Sequence, residues 1–278
     1  MLVSGRQPAF ASGSKDFTLY QGDSLALLEE VPAESIDMVF ADPPYFLSNG
    51  GVTCKSGRMV SVNKGEWDRS HGVDADFRFH MKWLSQCQRV LRPNGTIWVS
   101  GTRHVIYAVG FAMQTLGFKL LNDIVWHKRN PPPNLCCRYF THATETILWA
   151  GRDESTRHVF DYRLMKSMNH GKQMQSVWSL MAPRGAEKVH GSHPTQKPLE
   201  LLERIVLAST RPDDVVLDPF SGSGTTGIAA IRNGRRYVGM ELEDQYIDLA
   251  ARRYVAEKVP GTIAAAGELA VPPQIAPN

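Results

Sequence analysis

The sequence predicts an α/β fold with a mostly parallel central sheet and helices on both faces. Three observations predict it. Short apolar runs alternate along the chain with longer helical segments. Those runs read as continuous apolar stretches, the pattern of strands buried on both sides. A strand–glycine turn–helix unit, VVLDPFSGSGTTG (215–227), stands near the C-terminus, as in α/β folds that bind ligands at strand ends.

Each element has a local reason. FTLY (17–20) is β-rich and reads as a strand, after which Asp23 and Ser24 offer a side-chain cap to a helix beginning LALL (25–28). IDMVF (36–40) is the next strand. Residues 47–72 are rich in Gly and Ser, with Lys55, Arg58, Lys64 and Arg69 interspersed, and read as a long functional loop able to close over a substrate. A helix comes next over about 74–91, ended by the turn signal RPNG (92–95). TIWVS (96–100) is a strand, 105–116 a helix and 119–126 another strand, broken by KRNPPPN (128–134). ETILWA (145–150) resumes the sheet, 199–208 is a helix, and DVVLD (214–218) and RYVGM (236–240) are the last strands. Residues 1–15 and the Ala/Pro-rich tail 259–278 read as disordered, leaving one domain over 16–255.

Composition narrows the class. With 42% hydrophobic and 21% charged residues, the 278-residue chain matches a globular protein with a sizeable core. No apolar run approaches the roughly 20 residues of a membrane span, and MLVSGRQPAFASGSK lacks the layout of a secretory signal, so the chain reads as cytoplasmic. The four cysteines form no C-x-x-C pair, which favours reduced structural thiols and no metal. The net charge of +3 is unevenly spread. Residues 152–197 hold eight Lys/Arg against four acids, leaving the rest of the chain at −1. Such a segment reads as a surface that meets phosphates, although a solvated face would look the same. It is expected as a small basic insertion over about 151–192.

Two motifs carry chemistry. In ADPPYFLSNGG (41–51), Pro43 and Pro44 stop the strand ladder and stiffen the chain beyond it. A rigid turn then holds one carboxylate, free carbonyls and aromatic faces. An exocyclic base amine is a poor nucleophile because its lone pair is delocalised into the ring. The Asp42 carboxylate and the Pro43 carbonyl can each accept one N–H, localising that lone pair, and the carboxylate stabilises positive charge as it develops. Pro44 fixes this geometry, while Tyr45 and Phe46 offer faces on which a base can stack.

The second motif, with Gly222, Gly224 and Gly227, satisfies G-x-G-x-x-G, and Glu241 ends the following strand, where a carboxylate suits two ribose hydroxyls. A dinucleotide therefore remains a rival occupant, and with it a nicotinamide-dependent oxidoreductase. Against it, Asp218 at the strand end would repel a pyrophosphate but welcome the cationic S-adenosylmethionine.

Together DPPY and FSGSGTT resemble the amino-methylating DNA methyltransferases, in the permuted order of their β group, with DPPY first and the cofactor loop last. VLRPNG (90–95), WHKRNP (126–131), CRYFTHATETILWA (137–150) and HPTQKP (193–198) extend the likeness over roughly 16–255, closest to the DpnA-type adenine methylases of restriction–modification systems. The resemblance implies the S-adenosylmethionine-dependent methyltransferase fold. It implies that Asp218, Phe220, Gly222 and Gly224 line the methionine end of the cofactor, with Pro219, Ser221 and Thr225 of the same loop. It places Glu241 on the ribose, Asp23 on the adenine amine, and Thr195 and Lys197 near the cofactor carboxylate. His193 is open to a ligand or base role, but a capping or cofactor-shaping role suits it better, because nothing in this chemistry requires imidazole. Asp at the head of the tetrapeptide leans to adenine N6 over cytosine N4, and the target is a short adenine-containing site such as GATC. The resemblance also makes the basic insertion at about 151–192 the target-recognition region, and the implied partners are DNA, a second copy of the chain and a companion restriction endonuclease.

Candidate DNA contacts are Phe46, Lys128, Arg129, Arg163, Lys166, Lys172, Arg184 and Lys188. A base inside a duplex cannot reach Asp42, so the target is expected to be extruded. Trp126 and Trp149 end apolar strands and read as core; Trp178 suits base contact and packing equally. A DNA-binding protein that has lost turnover is a further alternative, which the intact DPPY opposes.

Overall fold

A computed structural model of the chain describes residues 5–48 and 68–258, with Val3 and the backbone of two short strands at 52–55 and 58–61. Along the chain lie β1 (Phe10–Ala11), β2 (Phe17–Gln21), α1 (Ser24–Glu29) and β3 (Ile36–Ala41), followed by the strands β4 (Val52–Lys55) and β5 (Arg58–Ser61). Next come α2 (Val73–Val90), β6 (Leu91–Gly101), α3 (Ile106–Thr115), β7 (Lys119–Lys128) and β8 (Thr144–Gly151). The remainder is α4 (Tyr162–Met168), β9 (Val177–Leu180), α5 (Leu199–Ser209), β10 (Val215–Asp218), α6 (Thr225–Arg232), β11 (Arg236–Glu241) and α7 (Asp244–Lys258).

Nine strands form one sheet in the order β1-β2-β11-β10-β3-β6-β8-β7-β9. The run β2-β11-β10-β3-β6 is parallel throughout, and β8 is inserted antiparallel between β6 and β7. One apolar layer joins Leu27 and Leu28 of α1, Trp83 and Leu84 of α2, and Val109 and Met113 of α3. The other joins Leu202 and Ile205 of α5, Ile228 of α6 and Tyr254 of α7. Both sheet faces are therefore covered, which is why the parallel strands carry largely apolar runs. Trp126 and Trp149 are buried in the second layer, and so is Trp178, its indole N–H donating to the Gln175 carbonyl at 2.9 Å. Packing, not base contact, accounts for all three.

The structure departs from expectation in several places. The predicted turn at 92–95 is a bulge inside β6: the register passes from Ile36↔Leu91 to Met38↔Thr96. Pro93 has no ladder donor to lose there. A Cβ on Gly95 would lie 2.9 Å from Leu91 Cδ2, so the bulge needs glycine. Residues 5–15 are not disordered. Phe10 and Ala11 pair with β2, the Phe10 ring packs edge-on against Phe17 and Tyr254, and Arg6 bridges to Glu30 at 2.7 Å. The expected insertion 151–192 supplies α4, packed on α5, and the edge strand β9. Its basic composition masked the short apolar strand VWSL. The tail 259–278 and, within the loop 47–72, residues 49–51, 56–57 and 62–67 lie outside the described residues.

Candidate active site

Four neighbouring parallel strands end at one edge of the sheet, and each end carries a carboxylate. In sheet order they are Asp23 after β2, Glu241 of β11, Asp218 of β10 and Asp42 after β3. Strand spacing of about 4.8 Å brings together residues far apart in the chain. The cleft above this edge is lined by Gly22, Asp23, Asp42, Pro43, Pro44 and Tyr45, and by Thr195, Pro219, Phe220, Gly222 and Glu241. The two motifs thus share one cavity.

The glycine turn is built for close approach. Gly222 and Gly224 have φ of +50° and +70°, and Gly224 is the N-cap of α6. A Cβ on Gly227 would sit 2.3 Å from Phe17 Cε2 and 2.5 Å from Tyr237 Cδ1, so this glycine lets α6 lie on the sheet. The Gly222 N–H donates to Glu241 Oε2 at 2.8 Å, and the Glu243 N–H to Oε1 at 2.9 Å. Burial nevertheless keeps the Glu241 carboxyl above its usual range. Asp23 caps α1 through Oδ1, which accepts from the Leu25 N–H at 2.8 Å.

Asp218 departs from its expected role. It is buried, accepts from the Phe220 N–H at 3.0 Å and the Thr226 hydroxyl at 2.6 Å, and does not line the cleft. Burial, outweighing those two bonds, lifts its carboxyl to about 7. Ser221, Gly224 and Thr225 are likewise internal. The Ser221 hydroxyl accepts from Tyr237 at 2.8 Å, Thr225 Oγ1 accepts from Arg253 at 2.8 Å, and Gly224 lies under Ala250. These four residues shape the turn from beneath, because only one side of a strand–turn–helix unit faces the ligand.

Lys197 is the largest correction. Instead of meeting the cleft it is buried beneath it, its Nζ 2.5 Å from Asp42 Oδ2, 3.2 Å from the Tyr45 hydroxyl and 3.5 Å from Glu145 Oε2. The Tyr45 hydroxyl donates to Asp42 Oδ1 at 2.6 Å. Tyr45 is therefore tied to the Asp42 carboxylate through its hydroxyl, while the residue remains part of the cleft lining. Phe46, at φ +55°, turns onto Phe79 and His80. Among the described residues no donor reaches the Pro43 carbonyl oxygen.

Sequence reasoning missed Asp68. Fully buried, it accepts from the backbone N–H groups of Tyr45 at 2.9 Å and Leu47 at 3.2 Å, and from the Ser48 hydroxyl at 2.9 Å. It ends the run EWD in an otherwise Gly/Ser-rich loop, the one signal that pointed to it. Glu145 was missed because it reads as a strand residue. Ser24, Asp68, Phe79, His193, Met240, Leu242 and Tyr246 complete the cleft, and Tyr246 packs edge-on against His193 at 4.3 Å.

The candidate DNA contacts divide. Lys128 is not available to phosphate: its Nζ lies 2.5 Å from Glu145 Oε1, next to the buried cluster. Arg129, Arg184 and Lys188 are exposed at the cleft end. Arg129 comes directly after β7, and the backbone of Glu187 accepts from Gln196 beside the start of α5. Arg163 and Lys166 ride on α4, whose N-cap Asp161 donates its N–H to Ala208 at the far end of α5. They sit towards the opposite edge of the sheet. Lys172 is exposed in the segment after α4.

The comparisons with known proteins decide the family. A protein-family model described as DNA methylase matches residues 36–252. The chain belongs to this family. This DNA methylase is 52% identical over 240 residues to Type II methyltransferase M2.DpnII of Streptococcus pneumoniae, across 86% of this chain and 90% of that one. Among solved structures, the M1.HpyAVI–SAM complex matches with a TM-score of 0.65 and 27% identity over 86% of this chain and 98% of that one. The PvuII cytosine-N4-specific DNA methyltransferase, at 22% identity, shares the fold with a TM-score of 0.72 over 94% of this chain and 92% of that one.

The DNA methylase uses S-adenosylmethionine, and the cleft fits that cofactor. Acidic groups line it at Asp23 and Glu241, apolar walls at Phe79, Phe220 and Leu242, and Gly222 presents bare backbone. The oxidoreductase reading of the glycine turn falls away. No helix among the described residues is long and apolar enough to cross a membrane.

Proposed function

We propose that the enzyme methylates the N6 amine of adenine in a short DNA site such as GATC, with Asp42 and the Pro43 carbonyl as its catalytic acceptors. The observation carrying this reading is the placement of the DPPY turn and the Gly222–Glu241 turn on adjoining strand ends of one cleft. S-adenosylmethionine supplies the electrophilic methyl group when bound. Pro219, Phe220, Gly222 and Glu241 form the wall that receives it, with Asp23 and Thr195 at its margins.

Asp42 and Pro43 take the two amine protons as hydrogen bonds. Each carboxylate oxygen of Asp42 carries one protein donor and retains a second lone-pair direction. The amine lone pair is thereby turned towards the methyl, and the carboxylate stabilises the cationic nitrogen. No prior deprotonation is needed, because the proton leaves after transfer.

The DNA face is the cleft edge bearing Arg129, Arg184 and Lys188. The segment 129–143 between β7 and β8 contains no acid and exposes Tyr139 and Phe140. Aromatic tips among arginines suit a duplex from which one base has been extruded. The Type II relatives support work beside a companion restriction endonuclease in the cytoplasm, and two copies would match a palindromic site.

The test is nucleoside mass spectrometry of methylation-free DNA after incubation with enzyme and S-adenosylmethionine. N6-methyladenine is expected. N4-methylcytosine would overturn the base assignment, and no modified base with cofactor binding intact would overturn the reading altogether.

A further inference from the structure

Four charged side chains from separate parts of the chain meet beneath the catalytic turn. Asp42 comes directly after β3, Lys197 precedes α5, Glu145 lies in β8 and Lys128 ends β7. Their charges alternate: Asp42 Oδ2 to Lys197 Nζ is 2.5 Å, Lys197 Nζ to Glu145 Oε2 is 3.5 Å, and Glu145 Oε1 to Lys128 Nζ is 2.5 Å. Side-chain exposure is 13% for Asp42, 6% for Lys197 and 9% for Glu145, rising to 18% for Lys128 at the outer end. The Tyr45 hydroxyl lies within 3.4 Å of Glu145, as does the Ser100 hydroxyl.

We propose that Lys197 and Glu145 are positioning residues for methyl transfer, Lys197 holding Asp42 oriented and ionised while Glu145 holds Lys197. This rests on the reading that Asp42 accepts the target amine. Stability is a poor explanation for the cluster, since a buried ion pair is often no better than an apolar pair of the same volume. Catalysis explains it. A protonated Asp42 would donate where the amine needs an acceptor. Held by Tyr45 on one oxygen and Lys197 on the other, the carboxylate is fixed in orientation.

The balance of charge shows which group is at stake. Burial opposes ionisation of Glu145, but Lys197 and Lys128 together bring its carboxyl down to about 2. Asp42 has only the shared Lys197, and burial holds it above the usual carboxylate range, with the charge of Glu145 pushing the same way. The groups facing Asp42 are Tyr45 on its own turn, Lys197, Glu145 across the cluster and Asp218 on the neighbouring strand. Lys128 reaches Asp42 only through Glu145. Removing Lys197 or Glu145 therefore perturbs Asp42 in opposite directions.

The experiment is the pH dependence of single-turnover methyl transfer by the full chain, for wild type, Lys197→Met, Lys197→Arg and Glu145→Gln. Melting temperature and S-adenosylhomocysteine affinity are measured alongside. The acidic limb should rise by about one pH unit or more in Lys197→Met and fall in Glu145→Gln, with cofactor affinity held within about threefold. Lys197→Arg should restore part of the rate. An unmoved limb in both Lys197→Met and Glu145→Gln would overturn the proposal, as would a shift of the same sign in both. Loss of S-adenosylhomocysteine binding in Lys197→Arg would overturn it too, marking Lys197 as a cofactor ligand. If wild type makes no N6-methyladenine, the functional reading itself fails; if it does and the limbs stay fixed, only this inference fails.

Discussion

Replacing Asp68 by alanine should disable catalysis before it disables cofactor binding. Its carboxylate is fully buried and accepts from two backbone N–H groups and one hydroxyl of the stretch just after Asp42 and the two prolines. Hydrogen bonds to a charged acceptor contribute about 1.5–3 kcal/mol each, and a buried donor that loses its acceptor costs about 1–3 kcal/mol. The three bonds are not additive, so a net loss of about 3–5 kcal/mol is expected, a large share of the ~5–15 kcal/mol that holds a domain folded.

The catalytic loss comes from position. Tyr45 carries both the N–H held by Asp68 and the hydroxyl bonded to Asp42. A shift of about 1 Å in this turn would cost roughly 100-fold in rate. The assay is urea denaturation of Asp68→Ala, paired with single-turnover methyl transfer and S-adenosylhomocysteine affinity. Transfer should fall about 100-fold while affinity changes far less. A variant with wild-type transfer would refute the argument that Asp68 fixes the catalytic turn.

The geometry sets three further outcomes. Gly227→Ala puts a methyl against the buried rings of Phe17 and Tyr237 and should cost at least about 2–3 kcal/mol, read by thermal melting, whereas an unchanged Tm would mean that α6 shifts freely. Asp218, lifted by burial to about 7, is mostly protonated in the fold at pH 6 and mostly ionised at pH 8, while the unfolded chain is ionised at both. Its contribution to stability is therefore greatest at low pH and is lost as pH rises through 7, about 1 kcal/mol between pH 6 and 8. Asp218→Asn should flatten that slope in chemical denaturation of the cofactor-free chain, and an unaltered slope would place the titration elsewhere. Finally, Arg184→Ala should weaken DNA binding and reduce its salt dependence by about one counterion, whereas Arg163→Ala should leave both unchanged in a fluorescence titration. Equal effects from the two would show that DNA also reaches the far edge of the sheet.

The features that the sequence alone determined were local or periodic. Largely apolar runs marked the parallel strands, because burial on both faces leaves little polar alternation. The glycines of the cofactor turn were legible because positive φ and the close packing of Gly227 admit nothing larger. Asp42 and the prolines were legible because no packing role calls for that tetrapeptide at a strand end. The weak elements were hidden. The strand at Phe10–Ala11 is two residues long and exists through its pairing with β2 and the Tyr254 ring. VWSL sat inside a basic stretch whose charge suggested a separate surface.

Tertiary structure decided which cations are free. In sequence, Lys128, Lys197 and Arg184 are equivalent basic residues near one motif or another. Folding places the first two against Glu145 and Asp42, carboxylates from other strands, and leaves the third in solvent. The same holds for carboxylates. Asp218 and Glu241 both end strands of the cofactor unit, yet one turns inward to Thr226 and the other lines the cleft. Sequence names the groups able to bear charge; burial and partners brought from distant strands determine which of them meet the ligand and which hold another charge in place.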